Sequence, residues 1–117
     1  MNQEIGFLEQ MLFNTMFSEI EERYNDVVDI YRNDFEILSL AQHLKGISDT
    51  VLEVYKEIPN PSKKLGEELY TTLYQVLKDV SSILYDLSIA EGDQLSYVVM
   101  QAYRKLDSIN SLFEKLV

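Results

Sequence analysis

Apolar residues recur at helical intervals along almost the whole chain. Through Phe17, Ile20, Tyr24, Val27 and Tyr31 the spacings are 3, 4, 3 and 4, which places one stripe on one face of a helix. The same rhythm runs through Ile37, Leu40, Leu44, Ile47, Val51, Val54 and Ile58. From Tyr31 to Ile37 is six residues, where one continued seam would need seven, so the pattern predicts a break between two helices. Asn33 is the expected cap of the second helix, with Glu36 reaching back three residues later as in a capping box. The second seam passes through Gly46 unbroken, so that glycine reads as a tolerated helix residue costing about 1 kcal/mol against alanine.

Ile58-Pro59-Asn60-Pro61-Ser62 is the strongest stop, because each proline disfavours helix in the residue before it while Pro61 or Ser62 can open the next one. Leu65, Leu69, Leu73, Val76, Val80, Ile83, Leu87 and Ala90 then form a third stripe. Glu91-Gly92-Asp93 reads as a C-terminal glycine followed by a cap, and Leu95, Val98, Ala102, Leu106, Ile109, Phe113 and Leu116 form a fourth stripe. The expectation is an all-α single domain over residues 1–117, with helices at about 2–31, 34–58, 62–90 and 94–116. Short connections make neighbours antiparallel, and long helices so joined form an up-down-up-down four-helix bundle.

A chain of 117 residues can bury one core without staples, and with no cysteine it has no disulfide, thiolate or iron–sulfur chemistry. Twenty acidic residues against ten basic ones give a formal charge of −10. Direct binding to nucleic acid needs clustered Lys and Arg and is not expected; a charged partner would be basic. No apolar run approaches the roughly 20 residues that a bilayer requires, so no membrane role is expected. Glu4 and Glu9 interrupt the apolar N-terminus and no Lys or Arg precedes it, which argues against a secretory leader and for a cytoplasmic protein.

Charge and apolar surface are unevenly distributed. The net charge is −5 over residues 1–33 and zero over residues 93–117. Glu19, Glu22, Asp26 and Asp29 fall on one face of the first helix, with Glu21 beside them, either as a solvated surface or as a docking strip for a basic partner. Nine of the 16 residues from Ile5 to Ile20 are apolar and surround the helix, a pattern that normally requires cover on more than one side. Phe7, Met11, Phe13 and Phe17 are therefore candidates for a partner or self-association surface; the alternative is that the bundle splays at this end and takes them into its core. Tyr70, Tyr74 and Tyr85 flank the third stripe and are expected at the bundle margin.

Chemistry is sparse. His43 is the single histidine, and the chain contains no Gly-x-Ser-x-Gly elbow, phosphate-cradling loop or dinucleotide fingerprint. Glu19-x-x-Glu22 resembles the first half of the metal motif of helical nucleotide pyrophosphohydrolases, without a later Glu-x-x-Asp to complete it. No catalytic residue, metal or cofactor is expected.

The run Ala41-Gln42-His43-Leu44-Lys45-Gly46-Ile47-Ser48 resembles the signature of histidine phosphotransfer domains, themselves four-helix bundles. Aligned on Leu44-Lys45-Gly46, the acceptor position holds Gln42, with His43 one residue late and about 100° further round the helix. The resemblance implies a phosphoacceptor role for His43, with Lys45 beside the phosphoryl group and Gly46 leaving room for a receiver domain. The leading expectation is instead a small acidic, non-enzymatic interaction module, adaptor or inhibitor. It would bind a protein through the apolar end of helix 1, the acidic face of helices 1 and 2, or both. A structural homodimer is the third reading.

Overall fold

The computed structural model describes the backbone of residues 2–57 and 64–114, with the side chains of 2–7, 57, 64–67 and 113 left aside. Its elements are four helices: α1 (Asn2–Ile30), α2 (Phe35–Glu57), α3 (Lys64–Ile89) and α4 (Gln94–Glu114). Each coincides with a predicted stripe to within about two residues at either end, the usual scatter of helix termini. Together they form an all-α four-helix bundle, elongated at 50 × 24 × 19 Å. The predicted turn at Ile58–Ser62 lies outside the described residues.

α3 is the central element, packing against α1, α2 and α4, while α1 also packs against α2. Tyr31 near the end of α1 donates its hydroxyl to the Leu87 carbonyl near the end of α3 at 2.8 Å. Eight residues earlier on α1, Arg23 reaches Ser81 on α3. α1 and α3 therefore run parallel in direct contact, with α2 packed antiparallel against both. α4 lies chiefly along α3. An evenly closed ring would have sandwiched α4 between α3 and α1.

The core follows the seams read from sequence, with Leu77 and Leu84 of α3 added from beside the third stripe. Ile20 and Val27 of α1, Leu44 and Val51 of α2, and Leu73, Val76, Leu77, Val80, Leu84 and Leu87 of α3 are all fully buried. In α4 the buried hydrophobic residues among those described are Ala102 and Ile109, as its lateral position requires. Each large aliphatic side chain so buried contributes roughly 1.5–3 kcal/mol relative to exposure. The α1–α3 contact is the richest, and it places the acidic outer side of α1 away from the core.

Two local expectations resolve differently. The α2 cap is Asp34, whose Oδ1 accepts from the Ile37 amide at 3.2 Å, while its carbonyl accepts from Leu38 at 3.0 Å. Asn33 stays in the turn, one residue too early. Glu36 is then at the second helical position, and the capping box does not form. At the α3–α4 connection the glycine behaves as read: Gly92 has φ +52°, a left-handed conformation that costs a residue with a side chain about 1–2 kcal/mol.

Candidate functional site

At 100° per residue, positions 8, 12, 15, 19, 22, 26 and 29 fall on a single face of α1, because their separations alternate 4 and 3. That face carries Leu8, Leu12 and Thr15 and then Glu19, Glu22, Asp26 and Asp29, with Met11 on its flank. It lies roughly opposite the buried line of Phe13, Ile20 and Val27. Leu8, Met11 and Leu12 are 60%, 52% and 54% exposed. Thr15, Glu22, Asp26 and Asp29 are exposed and Glu19 is half-buried. The apolar end and the acidic strip are thus two halves of one outward stripe about 32 Å long at 1.5 Å per residue.

The acidic half is only partly neutralised. Glu19 pairs with Arg23, one turn further along. Asp29 pairs with Arg32 at 3.3 Å, both side chains being well exposed. Neither Glu22 nor Asp26 has an ion-pair partner among the described residues, and standing four apart they repel each other. Arg23 is not free to help them. Its guanidinium donates to the Ser81 carbonyl at 3.0 Å and to Ser81 Oγ at 2.7 Å, and its carbon lies 4.8 Å from the centre of the Tyr85 ring.

The four aromatic and sulfur-bearing candidates separate. Met11 is on the open stripe. Phe13 is not a surface residue: it is 2% exposed and sits in an aromatic cluster with Phe17, Tyr55, Tyr70 and Tyr74. Phe17 is partly buried against the core and lies near Tyr55. The side chain of Phe7 lies outside the described residues. The physical reason for the split is phase, since Phe13 leads the Ile20 and Val27 line by one heptad while Met11 falls two residues behind it. Leu8 and Leu12 were not singled out from sequence, although their heptad relation to Glu19, Glu22 and Asp26 was there to be read.

The aromatic cluster contains its own electrostatic feature. Burial raises the pKa of the Tyr55 hydroxyl, with smaller contributions from Tyr70 and Glu9, and burial followed by Glu9 raises that of Tyr70. Tyr31 is raised by burial and then by Asp34. These phenols are therefore held protonated more firmly than free tyrosine. Tyr31 donates to the Leu87 carbonyl, while Tyr55 and Tyr70 fill space in the aromatic cluster. Tyr70 and Tyr74 are partly buried against the core and Tyr85 is exposed beneath Arg23, the bundle-margin positions expected of all three.

Elsewhere the structure separates residues that the phosphotransfer resemblance would unite. His43 is exposed, and a Cβ placed on Gly46 would meet nothing within 4 Å. Lys45, however, is two residues from His43 and so about 200° away around α2. Its ammonium bonds Asp49 at 2.7 Å instead. Among the described residues no group of three His, Cys, Asp or Glu side chains is placed to hold a metal ion. A shallow cleft between α3 and α4, lined by Ile83, Asp86, Val98, Gln101, Ala102 and Lys105, has a cavity volume of only about 10 Å³. Small-molecule sites usually need roughly 300–1,000 Å³. No described helix is long and apolar enough to cross a membrane.

A protein of Aquifex aeolicus described as an uncharacterized protein is 62% identical over 113 residues, covering 97% of each chain. The chain belongs to that protein's family. No family model matches the sequence, and no solved structure matches it. The shared length spans all four helices, so the family relation extends to the whole bundle rather than to one motif.

Proposed function

We propose that this chain is a small acidic interaction module that holds another protein along the outer face of α1. The observation that carries the reading is the single stripe in which exposed Leu8, Met11 and Leu12 lead directly into Glu22, Asp26 and Asp29. Exposed leucine and methionine on a helix whose opposite side already fills the core are surface that water solvates poorly, and contiguous patches of this kind mark contact sites. The carboxylates beyond them supply orientation and long-range attraction for a basic partner. No catalytic group is part of this reading, and the aromatic cluster serves the fold beneath the stripe.

The test is affinity capture of the tagged protein from its host lysate with nuclease present. It is run in parallel with Met11→Ser and with the double change Glu22→Lys, Asp26→Lys. A protein recovered in stoichiometric amount with the unaltered chain and lost with both variants supports the reading. Recovery that neither variant changes removes α1 from the account. The competing relay at His43 predicts acid-labile phosphate on that residue after incubation with phosphorylated receiver domains. A structural homodimer predicts recovery of the chain alone and a doubled mass in solution.

A further inference from the structure

We infer that the occupant of the α1 stripe is a basic amphipathic helix of a different protein. Its apolar turns would meet Leu8, Met11 and Leu12, and its Lys and Arg residues would meet Glu22, Asp26 and Asp29. The inference rests on the reading above and narrows it by chemistry. Positions 8, 12, 15, 19, 22, 26 and 29 keep one seam of alternating 4 and 3 spacing over six helical turns, the geometry into which a second helix lays its own 3.5-residue repeat.

The charge order along the seam disfavours a second copy of this chain as its occupant. Two α1 stripes set parallel and in register would bring Glu22 and Asp26 against their own equivalents. Set antiparallel over the full length, they would bury Asp26 and Asp29 against Leu12 and Leu8, removing carboxylates from water with nothing to bond. An antiparallel overlap limited to the apolar half engages three described side chains from each copy, Leu8, Met11 and Leu12. What complements the whole seam is a helix that is apolar over one half and cationic over the other. Glu22 and Asp26, exposed and without ion-pair partners among the described residues, are the carboxylates such cations would neutralise.

The probes are two synthetic amphipathic peptides of about 22 residues, enough to span the seam at 1.5 Å per residue. One carries leucine at the heptad positions facing residues 8–15 and lysine at those facing residues 19–29; the other carries glutamate in place of lysine. Each is titrated by fluorescence anisotropy against the full chain and against Leu12→Glu and Glu22→Lys/Asp26→Lys, at low and high salt. The lysine peptide should bind, and either variant should weaken it on the order of tenfold. Salt should weaken it as well, and the glutamate peptide should not bind. Equal binding of both peptides, no binding of the lysine peptide, or binding indifferent to both variants overturns the inference. So does a dimer in sedimentation equilibrium that Leu12→Glu dissolves. If lysate capture still yields a partner lost with the stripe variants while the peptides fail to discriminate, the helix inference falls and the interaction reading stands.

Discussion

The ring of Phe13 on α1 lies stacked over that of Tyr55 on α2, centroids 4.5 Å apart and planes 19° from parallel. Tyr70 and Tyr74 of α3 meet the same phenylalanine edge-on at 5.9 and 5.8 Å. One side chain therefore joins three helices, directly beneath the apolar half of the outer stripe. Phe13→Ala should cost about 3–5 kcal/mol, the range for deleting a buried aromatic ring, as read by chemical denaturation. Met11→Ala, two residues away and exposed, should stay within about 0.5 kcal/mol. Similar losses at both positions would show that Met11 is covered in solution.

Gly46 offers the opposite sign. It lies inside α2, it is exposed, and a methyl group there would meet nothing within 4 Å. Gly46→Ala should raise stability by roughly 0.5–1 kcal/mol, because alanine loses less backbone entropy in a helix. A rise in Tm of a few degrees is the expected readout. A drop would mean that another molecule approaches this face.

Asp26→Lys separates stability from binding. The substitution replaces the Glu22–Asp26 repulsion at i, i+4 with a favourable Glu-to-Lys order, a combined gain of about 0.5–1 kcal/mol at low salt. Partner capture should fall even as the melting temperature rises. A variant that gains stability and keeps its partner would show that the carboxylates serve only solubility.

The tyrosines set a limit at high pH. Tyr31, Tyr55 and Tyr70 have folded-state pKa values raised above the ordinary 10.0. A raised folded pKa means that the unfolded chain releases the phenolic protons first. The stabilising contribution is therefore complete below about pH 10 and is lost as pH climbs through the folded values. Denaturation midpoints measured from pH 8 to 12 should hold and then fall. Tyr55→Phe/Tyr70→Phe should flatten the fall, and an unchanged slope would place the sensitive groups elsewhere.

Much of the architecture was legible in the sequence. Four apolar stripes of 3-and-4 spacing set the extents of the four helices, and Gly92 announced the turn that only a left-handed residue makes easily. The excess of apolar residues at the start of α1 was equally plain, as was the line of carboxylates from Glu19 to Asp29. That both occupy one face followed from their positions alone, yet it became clear only once the buried side of α1 was known.

What spacing settles is which side chains share a face of a helix, since that depends only on the local 100° rotation. It does not settle which face meets which neighbour. Only the packing of whole helices placed Phe13 among Tyr55, Tyr70 and Tyr74 and left Met11 in water. The same packing laid α4 along α3, and brought Arg23 within reach of Ser81 and Tyr85, 58 and 62 positions along the chain. The choice of Asp34 over Asn33 as the α2 cap was likewise decided by how the turn after Tyr31 closes, since either side chain can bond a helix amide.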